Sequence, residues 1–276
     1  MGNTPLSAVQ RTLITGNGFR AHADHIVEQG RAHFSTKKVK PRDTIYVEVD
    51  YSGYFFEKVF PKIKVPIILI THNGDHSAPN KYFKYLDDPK IIAWFGQNCD
   101  RVHPKFIPIP IGIANPKWEH GNQQIFHEVM NGLVQRKNHE KKFSMYMNFS
   151  PSTNPIRQQV YNFFIAKDFV TWATVKPLRN YLQEMGQYTF VVSPFGNGLD
   201  CHRTWEALLV GAIPVVTSST LDQLYEDLPV IIVQNWTEVT REFLEAKYAE
   251  MATKTFNFEK LFLEYWLAKI DQYKKQ

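Results

Sequence analysis

Apolar residues along this chain fall in short continuous runs, separated by Gly-, Asn- and Pro-containing breaks, a pattern of buried strands joined through helices and loops. Five such runs occupy the first half: Arg11–Ile14, Asp43–Asp50, Val65–Ile70, Lys90–Phe95 and Phe106–Ile113. The last is rich in proline, which suits a sheet edge. Between them, Ala21–Gln29 and Tyr54–Ile63 predict helices. Asn115–Lys142 is more polar and holds one predicted helix, Gln123–Val134, followed by Gln135–Lys142, which has almost nothing to bury and predicts a linker. A second series then begins. Strands are predicted at Phe143–Asn148, Phe169–Ala173, Phe190–Val192, Ile213–Val216 and Val230–Val233. Helices are predicted at Ile156–Phe164, behind Pro155 at a first helical position, and at Leu178–Met185, Leu221–Tyr225, Trp236–Glu250 and Phe256–Tyr273. Alternation of this kind predicts an α/β fold with parallel sheets, divided into a domain over 1–135 and another over 136–276.

The most informative stretch is Phe190–Val216. A strand runs into Ser193-Pro194-Phe195-Gly196-Asn197-Gly198, a concentration of residues that supply positive or fixed φ. Asp200 is placed to cap the helix that follows, and Leu199, His202, Trp205, Leu208 and Leu209 recur at the spacing of one buried face. Arg203 and Glu206 share another face, and Gly211 ends the helix. Free amides on the glycine turn and at the helix start, with the two-pronged donor Arg203, make an anion site. Glu206, one turn on, is placed to accept from the two hydroxyls of a ribose. The plainer alternative is an ordinary α/β unit in which Arg203 and Glu206 form a surface pair.

The run Ser193–Val233 resembles the nucleotide-sugar-binding segment of exostosin-like glycosyltransferases, in its Ser-Pro, its Gly-rich turn, its Arg-x-x-Glu-Ala-Leu and its Gly-x-Ile-Pro-Val-Val. The resemblance implies two Rossmann-like domains in a GT-B arrangement, acceptor side first and donor side second, with a cleft between them. It implies Arg203 on a diphosphate, Glu206 on the ribose, and an arginine near Arg157 on donor phosphate. Ser193, Gly196, Asn197, Gly198, Asp200 and His202 complete the expected donor site, and Asn148 is expected on a donor loop. The last helix is expected to cross back onto the first domain.

Composition sharpens this modestly. The net charge of +5 suits an anionic donor, and no basic stripe interleaved with aromatics points to nucleic acid. Cys99 and Cys201 are the two cysteines, far apart and without metal-ligand spacing, as expected in a reducing compartment. No apolar run reaches the roughly 18 residues of a membrane span, and no signal-peptide core opens the chain. A cytoplasmic protein is therefore expected if the chain is complete. The patterns Asn148-Phe149-Ser150 and Asn235-Trp236-Thr237 match the glycosylation sequon by chance on this reading.

Sugar transfer from a nucleotide needs a clamp for the departing diphosphate and, if the anomeric centre inverts, a base for the acceptor hydroxyl. The chain has no DxD motif; Glu48-Val49-Asp50 is the nearest variant. The expectation is a metal-independent hexosyl- or pentosyltransferase with no cofactor, taking a UDP- or GDP-linked sugar to a carbohydrate or glycoconjugate hydroxyl. The base is sought in Thr71-His72-Asn73-Gly74-Asp75-His76, a polar cluster at a strand's C-terminal end. Asp75 is the first choice, with His72, His76, Glu48 and Asp50 as alternatives. His72, Asn73, His76 and Asn98 are the expected acceptor contacts. Two other classes stay open: a non-catalytic nucleotide- or glycan-binding module of the same fold, and a dinucleotide enzyme using Gly16 and Gly18, whose fingerprint lacks its third glycine.

Overall fold

The computed structural model describes residues 11–135 and 141–275. It contains two sheets, both parallel apart from one short edge strand. The first half opens with helix α1 (Gly16–His22), then strands β1 (His25–Glu28), β2 (Arg31–Ala32) and β3 (Thr44–Glu48). Helix α2 (Ser52–Tyr54) continues through a π turn at Phe55–Val59 and a 3-10 turn at Phe60–Lys62. Strands β4 (Ile67–His72), β5 (Ile91–Gly96) and β6 (Phe106–Pro108) follow, then helix α3 (Gln123–Gln135). The second half holds β7 (Lys142–Met147), α4 (Pro155–Phe164), β8 (Val170–Trp172), α5 (Leu178–Met185), β9 (Tyr188–Val192) and α6 (His202–Leu209). It ends with β10 (Ile213–Thr217), β11 (Ile231–Val233), α7 (Arg241–Ala252) and α8 (Leu263–Lys275).

The sheets run in the orders β2-β1-β3-β4-β5-β6 and β11-β10-β9-β7-β8. Strands β4 and β9 are buried at every position, which is why their sequences are continuous apolar runs rather than alternations. The proline-rich β6 lies at an edge, where a missing N–H costs no ladder bond.

Two expectations at the start of the chain fail. Leu13 makes a single antiparallel bridge to Phe262, so Arg11–Ile14 is not a sheet strand. The helix expected over Ala21–Gln29 instead begins at Gly16, where Thr15 Oγ1 accepts from the Gly18 amide, and stops at His22. Its second half is β1, where His25-Ile26-Val27 pairs in parallel with Ile45-Tyr46-Val47. The predicted Trp236–Glu250 helix is likewise two pieces, because Thr240 caps a new helix after a 3-10 turn. Of the linker expected at Gln135–Lys142, residues 136–140 lie outside the described residues and Lys142 already belongs to β7.

Packing crosses between the two sheets. Helix α3 packs on α5, with Arg179 paired to Glu128. Helix α8 lies on α1, β4 and β5, burying Leu263, Trp266 and Ile270. Its end is tied down by Arg42, which donates to the Tyr273 carbonyl at 2.6 Å, and by Lys274, 2.7 Å from Asp24. Burial pushes the Asp24 carboxyl up, but Lys274 and the Thr44 donors outweigh it and bring it down to about 2. Stability from a depressed carboxyl is present above its unfolded range and disappears as pH falls through the folded value. The pair is partly solvated, so Lys274→Met is expected to cost under about 1 kcal/mol at pH 7. In urea titrations the difference between wild type and variant narrows steadily below about pH 4.

Candidate functional site

In the second sheet the chain steps from β7 outward to β8, then returns to β9 on the other side and continues to β10 and β11. A reversal of this kind opens a crevice beyond the C-terminal ends of the strands on either side of it, here β7 and β9. The loops flanking the crevice are Asn148–Asn154, after β7, and Ser193–Cys201, after β9.

Two arginines from different helices meet there. Asn154 caps α4 by accepting from the Ile156 amide, and its Nδ2 donates to the Gly196 carbonyl at 2.9 Å, joining the two loops. Arg157, in the first turn of α4, donates through Nε to the Phe195 carbonyl at 2.5 Å. Arg203, in the first turn of α6, donates through Nε to the Asn148 carbonyl at 2.6 Å. Both guanidiniums lie near the ring of Phe149, at 5.8 and 5.4 Å from its centroid. Among the described residues neither is paired with a carboxylate, and Arg203 Nη1 is buried without an acceptor. Burial, and then the charge of Arg203, pull the Arg157 guanidinium below its ordinary range. Two cations held together without a counter-charge are the electrostatic outline of an anion.

The rest of the expected donor set divides by exposure. Gly196 lies against Arg157, where an added Cβ would come within 2.8 Å of Nη2, and Asn197 is exposed on the turn. Ser193 is buried, its hydroxyl 2.8 Å from that of Thr204. Glu206 is buried and accepts from Tyr181 at 2.8 Å, so the surface Arg203–Glu206 pair does not exist. His202 is held through Nδ1 to the Gly112 carbonyl at 2.7 Å.

Asp200 requires a correction. Helix α6 begins at His202 with Cys201 in the capping position and no side-chain cap, so Asp200 does not cap it. It is 3% exposed and accepts from the amides of Ile111 and Cys201, from Trp205 Nε1 and from the Tyr225 hydroxyl. Burial pushes its carboxyl up against those four donors. Its role is to fasten the β9–α6 loop to the first half of the chain, and it faces no open space.

The acceptor-side residues come from the ends of β4 and β5. His72 is 2% exposed; Nε2 donates to the Pro110 carbonyl at 3.0 Å and Nδ1 accepts from the Asn73 amide at 2.8 Å. Burial pulls it down to about 4, so it is a neutral ring with both nitrogens engaged. Asn73, at φ +60°, accepts from Asn115 and donates to Asn17. A Cβ on Gly16 would lie 1.7 Å from Asn73 Oδ1, so the glycine admits this side chain and the space a dinucleotide would need is filled. Asp75 is exposed, and its Oδ2 accepts from Asn197 Nδ2 at 3.0 Å across the two halves. His76 Nδ1 stands 2.5 Å from Asp50 Oδ1.

Asn98 is the buried bolt of this junction. At φ +52° and fully buried, it accepts from the Asp200 amide at 2.9 Å and donates to the Asp75 carbonyl at 3.3 Å. A Cβ on Gly198 would fall 2.4 Å from Asn98 Nδ2. Gly198→Ala is therefore expected to lower stability by about 1–3 kcal/mol, read as a shifted denaturant midpoint with an unchanged slope.

Sequence reasoning passed over Phe149, Asn154 and Tyr181. The Asn154-Pro155 pair carries a cap signal that could have found one of them. Nothing in the local sequence distinguishes Phe149 from a core aromatic.

No protein-family model and no curated protein sequence matches the chain significantly. Among solved structures it is similar to an alpha1,3-fucosyltransferase with GDP-fucose, at 11% identity and a TM-score of 0.45, over 94% of this chain and 96% of that one. It is similar to the pneumococcal O-GlcNAc transferase GtfA in complex with UDP and GlcNAc, at 11% identity and a TM-score of 0.34, over 90% of this chain and 58% of that one. A third is the catalytic domain of Starch Synthase IV from Arabidopsis thaliana bound to ADP and acarbose, at 10% identity and a TM-score of 0.34, over 86% and 70%.

Proposed function

We propose that this protein is a glycosyltransferase that binds a UDP- or GDP-linked sugar in the crevice between β7 and β9 and passes the sugar to a carbohydrate or glycoconjugate hydroxyl. The observation that carries the reading is the uncompensated pair Arg157 and Arg203, with one buried guanidinium nitrogen lacking an acceptor. A diphosphate supplies two negative groups and acceptor oxygens for both forks. The resemblance of Ser193–Val233 to exostosin-like transferases agrees with it. In transfer, negative charge grows on the departing diphosphate, and two fixed guanidiniums stabilise that charge more strongly as it develops. Glu206, held by Tyr181, is the proposed ribose acceptor at the base of the same helix turn. The loop His72–His76 forms the acceptor side, with Asp75 touching the donor loop through Asn197.

Because the arginines carry the electrostatic load, the binding needs no divalent cation. Calorimetric titration with UDP, GDP, ADP and CMP, with and without EDTA, tests this. UDP or GDP is expected to bind with the same affinity in both conditions. Binding abolished by EDTA would place a metal in the clamp instead, and no binding of any nucleotide would end the transferase reading.

A further inference from the structure

Beside the junction, on the first half of the chain, is a cavity of about 270 Å³ lined by Asp50, His76, Ser77, Lys81, Tyr82 and Trp94 among others. It lies at the C-terminal end of β3, where the Val49–Tyr51 turn faces the His72–His76 loop. Its volume is below the roughly 300–1,000 Å³ of drug-sized sites and suits a single sugar ring. Its lining brings hydroxyl, ammonium, imidazole and carboxylate groups together, donors and acceptors for a polyhydroxylated ring. His76 connects the cavity to the donor loop, since its chain neighbour Asp75 accepts from Asn197.

We propose that this cavity receives the acceptor sugar and that His76, held by Asp50, is the general base of the transfer. The inference rests on the donor reading given above. Asp50 Oδ1 takes the Nδ1 side of the ring at 2.5 Å. A carboxylate can only accept there, so in the neutral ring the proton sits on Nδ1 and the lone pair on Nε2. Among the described residues Nε2 meets no partner, and the side chain is 70% exposed. This is the arrangement in which one group orients an imidazole and the other nitrogen takes a proton. Asp75, the first choice on sequence, has its carboxylate engaged by Asn197. Lys81 lines the same cavity, and Asp75 is the chain neighbour of His76.

The step balances as a single displacement. The acceptor hydroxyl gives its proton to His76 Nε2, and its oxygen bonds the anomeric carbon. The bond from that carbon to the diphosphate oxygen breaks, and its electron pair leaves with the diphosphate toward Arg157 and Arg203. One displacement at one carbon inverts the anomeric centre.

The test combines two measurements on the full chain. Release of UDP or GDP from a panel of UDP- and GDP-sugars is followed with pooled mono- and oligosaccharide acceptors, for wild type, His76→Gln, Asp50→Asn and Asp75→Asn. UDP and GDP affinity is measured alongside. His76→Gln is expected to lower kcat by about 100-fold or more with nucleotide affinity unchanged, and the product is expected to carry the inverted configuration. Asp50→Asn is expected to lower kcat less. It should also move the neutral His76 ring away from the tautomer protonated at Nδ1, seen in long-range proton–nitrogen spectra assigned by His76→Gln. That signal reports whether Asp50 sets the tautomer, and the kcat of His76→Gln reports whether the ring is the base. Retained turnover in His76→Gln, or loss confined to Asp75→Asn, overturns the base assignment and leaves the donor site standing. A retained anomeric configuration overturns the single displacement. Failure of wild type to bind either nucleotide overturns the donor reading and this inference together.

Discussion

Arg203→Ala lowers affinity for the nucleoside diphosphate that binds wild type by tenfold to about a hundredfold, the span of one to two charge-assisted hydrogen bonds. The same substitution leaves the unliganded protein nearly as stable as before, with a thermal midpoint within about 3 °C. The opposite behaviour of the two quantities is the point. Without ligand, Arg203 has a buried nitrogen with no acceptor among the described residues and stands beside Arg157, whose guanidinium is disfavoured by burial and by the charge of Arg203. Removing it forfeits the bond to Asn148 but relieves that cost. A residue kept for packing would show the reverse, a large loss of stability with binding little changed. Arg203→Lys keeps the charge and loses the fork, and is expected to fall between wild type and alanine in affinity. Calorimetry and thermal melts on the three proteins decide it.

Asp200→Ala is expected to be strongly destabilising, by about 2–4 kcal/mol. Its carboxylate accepts from two backbone amides, an indole and a phenol in a site closed to water. Alanine leaves those donors facing each other without an acceptor, and each unmet donor carries its own desolvation cost. Asp200→Asn keeps the shape but points an amide donor at donors, so most of the loss is expected to remain. Urea unfolding measures both. A loss under about 1 kcal/mol would mean that water or backbone movement replaces the carboxylate.

These two residues also show where sequence reasoning reaches and where it stops. Arg203 was legible because its neighbours on the glycine turn and the helix spacing are local signals. Its partnership with Arg157 was not, since only the order of β7 and β9 in the sheet brings α4 and α6 side by side. Asp200 sits where a capping residue belongs, but the first helical residue is His202, and tertiary donors from Ile111, Trp205 and Tyr225 claimed the carboxylate. Continuous apolar runs such as Ile67–Leu69 and Phe190–Val192 gave their strands away, because both faces of each sheet are covered. The strand His25–Glu28 escaped, being short, bounded by polar residues, and preceded by a helix whose capping threonine stands earlier than the periodicity suggested. Asn73 and Asn98 both adopt positive φ, a conformation asparagine tolerates and glycine spacing does not reveal.

Helix α8 has a further consequence for how the molecule comes into being. Strands β4 and β5 are made well before helix α8, which packs on them and buries Trp266 and Ile270. The second sheet, by contrast, has all its strands synthesised by Val233. During synthesis the first sheet, made before the second, is therefore covered after the second sheet's strands are complete. It waits with an apolar face open until α8 arrives, and in that interval a chaperone, or a neighbouring nascent chain, has its opportunity to bind.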